Sequence, residues 1–121
     1  MNMKFLSVVA VALIQLPVLS SVSFADAESD QVYNSARNQL GLIKYCAENG
    51  HVPAETVAAY EKIIAMLPAA SDAAESDKFE AEGVKGNSYD GAQTVSLEEI
   101  TVATGSTVAV HCSQYEMLTK Q

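Results

Sequence analysis

The chain has 121 residues, 49% of them hydrophobic, and 7 basic against 15 acidic residues give it a formal net charge of -8. A surface of that sign repels phosphate backbones and anionic headgroups, which argues against nucleic-acid and membrane-surface partners. The length allows one domain with a modest core rather than two.

Residues 1–4 form a short basic start, and residues 5–19 form an apolar run interrupted only by Ser7, Gln15 and Pro17. This is the layout of a cleavable secretory signal. The run falls short of the roughly 20 residues that a spanning helix needs. Small-x-small sites place the cut after Ala25 or after Ala27, the second being preferred, so residues 1–27 are read as leader and 28–121 as one domain. No cysteine stands close behind the run, so no lipid anchor is expected. Loss of Lys4 and Asp26 together leaves the charge at -8. The chain carries no Asn-x-Ser/Thr sequon, and the compartment is read as periplasm, with secretion as the broader reading.

In residues 29–49, Val32, Ala36, Leu40, Ile43 and Ala47 recur at helical spacing, with Ser29 or Asp30 as N-cap and Asn49-Gly50 as the stop. Pro53 fits the first turn of a second helix with Val57, Tyr60, Ile64 and Leu67 on one face, widened by Ile63 and Met66 and ended by Pro68. The short link between the two predicts an antiparallel pair.

Residues 71–82 hold Asp72, Glu75, Asp77, Glu80 and Glu82 against Lys78, with Phe79 as the one large apolar residue. The pattern predicts a solvated, marginal helix stopped at Gly83. The acids lack the ligand spacing and central glycine of a calcium loop. Residues 83–94 read as a turn-rich, flexible loop.

Ser96 and Glu99 form a capping box, Val95 and Ile100 a hydrophobic staple, and Gly105 closes the short helix they start. Ser106 can cap a last helix with Val108, Cys112, Tyr115 and Leu118 on one side. The β-branched residues on either side of Gly105-Ser106 leave a C-terminal β-hairpin as the alternative. The fold class expected is therefore all-α, four or five helices, or α+β if that hairpin forms.

An exported chain with two cysteines is expected to pair them, Cys46 with Cys112. The closed loop of about 67 residues is worth roughly 4 kcal/mol in the chain-entropy account. Cys46, His51, His111 and Cys112 do not have the close ligand pairs of a tetrahedral zinc site, and His111 and Cys112 diverge by about 100° on a helix. Neither histidine stands beside a glycine-framed nucleophile, and Glu98 and Glu99 diverge as helical neighbours, so no catalytic, cofactor or metal residues are assigned and no enzyme is expected. Residues 96–118 have a helix-turn-helix outline, but Lys120 is the lone basic residue nearby.

In its export, size, helix order and its two cysteines, Cys46 and Cys112, the chain resembles the small periplasmic acid-stress chaperones of the HdeA/HdeB type. The resemblance implies a compact helical bundle in which the cysteines join an early helix to a later one, and a function in protecting client proteins. Here the cysteines stand further apart and no family motif is matched residue by residue. Two contact functions follow, an envelope stress chaperone or an inhibitor, immunity or adaptor protein with an acidic face for a basic partner; a small enzyme is the third reading.

Overall fold

A computed structural model describes residues 18–120, with side-chain environments from residue 26. The basic start and most of the apolar run read as a leader lie outside the described residues. The first helix, α1 (Val18–Glu48), is 31 residues long and begins well before the expected start near Ser29. Residues 18–40 contain neither glycine nor proline, so nothing local interrupts it across the two candidate cleavage positions. Its end is the expected one. Gly50 adopts φ +75, His51 N–H donates to Cys46 O at 2.8 Å, and Gly50 N–H donates to Ala47 O at 3.1 Å, a Schellman closure.

The second helix, α2 (Ala54–Ala65), takes Pro53 as its N-cap, one residue outside the helix. Thr56, Tyr60 and Ile64 are its buried face, and Tyr60 and Ile64 share one core with Leu40, Ile43 and Cys46 of α1. Ile63 and Met66 do not widen that face; they are 38% and 78% exposed. Val32, placed by its spacing in the α1 stripe, is likewise 58% exposed, whereas Leu42 joins the core.

The third helix, α3 (Ala73–Val84), departs most from its solvated, marginal expectation. Asp72 caps it, accepting from Ala74 and Glu75 N–H at 3.0 and 3.2 Å. Ser76, Phe79 and Gly83 form a buried row. Gly83 does not stop the helix but lets it touch α1: a Cβ there would stand 2.8 Å from Gly41 Cα and 2.7 Å from Leu42 N. The backbones of α1 and α3 are in contact at this crossing.

The stretch expected as a flexible loop contains a short hairpin, β1 (Asn87–Tyr89) and β2 (Thr94–Ser96), antiparallel with Ser88 opposite Val95. Asp90 shapes its turn by accepting from Ala92 and Gln93 N–H. Then α4 (Leu97–Thr104) starts on Ser96, whose hydroxyl accepts from Glu99 N–H at 3.1 Å, and ends on Gly105 at φ 71. The last helix, α5 (Val108–Thr119), is capped by Thr107 rather than Ser106. Cys112 and Tyr115 are buried, while Leu118 is 53% exposed, so the inner stripe ends a turn early. Residues 101–104 and 108–110 are thus helical, and the hairpin lies upstream of the place where the sequence offered one. The described residues are mostly helical, with five helices and one disulfide. Among the described residues no helix is long and apolar enough to cross a membrane.

Candidate functional site

Cys46, in the last turn of α1, and Cys112, in the second turn of α5, are joined with a Cα–Cα distance of 5.7 Å, and both are fully buried. Around them pack Leu42, Ile43, Tyr60, Leu97 and Tyr115. Burial, reinforced by the neighbouring Tyr60 phenol, pushes the Tyr115 hydroxyl up to about 12. That keeps it neutral at any ordinary pH, and its oxygen lies 3.2 Å from His111 Nε2. Tyr60, also raised by burial, donates to Gln39 Oε1 at 2.7 Å. This end of the molecule is a dry staple with its polar tips satisfied.

His51 sits in the α1–α2 link, and the His111 ring stands edge-on to Tyr115 with centroids 5.4 Å apart. Among the described residues no three His, Cys, Asp or Glu side chains converge where they could hold a metal ion. Glu98 and Glu99 are both exposed in the first turn of α4.

The acids of α3 have a different fate from the expected free acidic face. Arg37 of α1 donates through Nε to Glu80 Oε1 and through Nη2 to Asp77 Oδ1, each at 2.7 Å. Lys44 Nζ reaches the other Glu80 oxygen at 2.7 Å. Glu82 accepts from Asn87 and meets Lys85 at 3.6 Å. The Glu80 and Arg37 side chains are only 19% and 18% exposed, so their attraction is screened less than that of Asp77, which is 72% exposed.

Burial alone would push the Glu80 carboxyl up. Its hydrogen bonds to Lys44 and Arg37 and their charges outweigh that and hold it below the usual carboxylate value. Burial would likewise lower Arg37, but its bonds to Asp77, Glu80 and Tyr33 raise it, so the guanidinium stays charged.

The seam continues with uncharged groups. Asn34 accepts from the Ser76 hydroxyl. Asn38 donates to Phe79 O at 2.9 Å and to Asn87 O at 3.1 Å, and accepts from Tyr89 N–H at 3.2 Å, so one carboxamide fastens α3 and the β1 edge to α1. Asn34, Arg37, Asn38 and Gly41 form a row three and four residues apart, opposite the apolar stripe. The apolar spacing that predicts α1 says nothing of this row. One signal was present: glycine inside a helix costs about 1 kcal/mol against alanine, which marks Gly41 as a place of close approach.

The arrangement can store an acid-sensitive contact between two helices. No protein-family model, curated protein or solved structure matches the chain.

Proposed function

We propose that this is an exported, non-enzymatic protein, cleaved after Ala25 or Ala27, that works in the periplasm by protein–protein contact as an envelope stress chaperone. The observation that supports it is the α1–α3 seam. There a carboxylate, Glu80, bridges two cations across an interface in which Phe79 is the one large apolar member from α3, so ionisation contributes to the contact beside apolar burial.

The folded-state pKa of Glu80 is depressed, so its contribution is fully present above the unfolded value of about 4.3–4.5 and is lost as pH falls through the lower folded value. In strong acid the mature chain's carboxylates neutralise, leaving a charge of about +8 from six basic residues and two histidines. Repulsion then acts on a seam that has lost its bridge, and α3 releases from a body still stapled by Cys46–Cys112. The apolar residues uncovered, Phe79 first, would hold unfolding clients.

The test is aggregation of an acid-labile client across pH 2 to 7. Suppression should appear below about pH 4 and coincide with loss of near-ultraviolet dichroism. No suppression anywhere in that range removes the chaperone reading.

A second reading, a neutral-pH adaptor or inhibitor, is favoured by one observation. Glu98 and Glu99 flank Val102, which is 80% exposed, and among the described residues neither acid meets a cation within 4 Å. A partner recovered from periplasm at low salt and lost at high salt would support it.

A further inference from the structure

Along the solvent side of α1, Gln31, Ser35 and Gln39 form a slightly oblique row at intervals of four residues. They are the shared floor of two adjoining clefts, of about 620 Å³ toward α2 and about 330 Å³ toward the hairpin. Tyr60 and Leu67 wall the first; Phe79, Tyr89 and Tyr115 stand on the second. Gln31 and Ser35 are exposed and make no side-chain hydrogen bond among the described residues. Gln39 receives one on its oxygen from Tyr60, which leaves its amide N–H groups to donate. No lysine or arginine lines either cleft, and the two charged residues that do are both acids, Glu28 at one end and Asp90 at the other.

We propose that this trough binds an extended polypeptide segment free of acidic residues, held through its backbone by the carboxamides of Gln31 and Gln39 and the Ser35 hydroxyl.

Three observations lead there. Helical residues four apart advance about 6 Å along the axis, and an extended strand presents equivalent backbone groups every two residues, about 6.4–6.8 Å. The row therefore keeps step with a strand over about 12 Å, the span of about four extended residues. The fold also contains the interaction in miniature, for Asn38, one position from Gln39, takes the carbonyl of Asn87 and the N–H of Tyr89 from the edge of β1. Lastly, the charges at the ends and the overall -8 repel an acidic ligand and attract terminal lysines. A second copy of this chain is a poor occupant, because its own surface carries the same excess of acid. Backbone pairing supplies affinity without reading sequence, which suits a protein that meets many clients.

The inference rests on the contact-protein reading but not on acid opening, since the trough exists in the folded chain. The probe is a capped peptide of alternating threonine and valine with lysine at both ends, titrated at pH 7 into the isotope-labelled mature protein. The expected result is a shift of the Gln31 and Gln39 side-chain amide signals, with affinity reduced about tenfold or more in the double variant Gln31→Met, Gln39→Met. A cooperative urea transition in the variant, its midpoint lowered only by loss of the Tyr60–Gln39 hydrogen bond, would show that it still folds. Glutamate in place of the terminal lysines should weaken binding, and N-methylation of alternate backbone nitrogens should abolish it. Equal binding of the N-methylated peptide, shifts confined to other surfaces, shifts produced by protein concentration alone, or the same shifts from maltotriose but not from the peptide would each overturn the proposal. Failure of acid aggregation suppression would leave this result untouched, so the two readings fail separately.

Discussion

Asn38 satisfies three backbone groups with one buried side chain, and its removal exposes the cost of each. Asn38→Leu should lower stability by about 2–3 kcal/mol, because orphaned buried donors and acceptors cost about 1–3 kcal/mol apiece and part is recovered by hydration. Urea unfolding measures the loss, and faster hydrogen exchange at Tyr89 N–H would locate it. At Glu80 the effect is in the pH dependence. The wild-type chain should lose stability as pH falls below about 4.5, and Glu80→Gln, which has no carboxylate to protonate, should be weaker at pH 7 with a shallower acid limb. Parallel limbs for the two proteins would show that the seam does not sense acid. Gly83 gives a prediction of opposed effects. Alanine is the better helix former by about 1 kcal/mol, yet its Cβ would fall within 2.8 Å of the Gly41 Cα. Overpacking typically costs about 1–3 kcal/mol, and rigid backbone cannot yield as a side chain can, so Gly83→Ala should be net destabilising in a urea titration.

Each helix was legible in the sequence to the extent that its partner is apolar. The inner stripe of α1 around Leu40, Ile43 and Cys46, the cap at Ser96 and the closures at Gly50 and Gly105 all follow from spacing or from backbone requirements that few residues meet. The α3 partnership was not legible, because hydrophobic periodicity registers only apolar faces and this interface draws on Asn34, Arg37, Asn38, Gly41, Ser76, Asp77, Glu80 and Gly83, with Phe79 the one large apolar residue from α3. The same blindness hid the hairpin: Asn-Ser-Tyr and Thr-Val-Ser are too short and too polar to show alternation. The over-reading of Ile63, Met66 and Leu118 has the converse cause. Nothing local tells an apolar residue that its helix turns it outward. Of the candidate site, the cysteine pairing was legible because two thiols leave one possibility, whereas the acids of α3 were recognised as charge but not as ligands of Arg37 and Lys44.

For the whole molecule, the single cross-link carries much of the resistance to unfolding. Replacing both cysteines by serine should cost about 4 kcal/mol, within the 2–5 kcal/mol typical of small exported domains, and thermal unfolding of the pair of variants measures it. Intact mass of the native product should give a chain beginning at Asp26 or Glu28 and two hydrogens lighter than its reduced form. Asp30 accepts from Ser71 N–H and Oγ, so either cut shortens α1 but leaves that link between α1 and the segment before α3 in place.

Because Cys46 lies in the last turn of α1 and Cys112 in α5, α2, α3, the hairpin and α4 all belong to one covalent ring. A protease that nicks any strand of that ring makes no fragments: the product keeps its size on a non-reducing gel and separates in two only after a thiol is added. Swinging α3 outward is likewise a movement of a tethered loop, never of a free end, so a chain opened by acid carries its own guide back to the starting arrangement when the medium is neutralised.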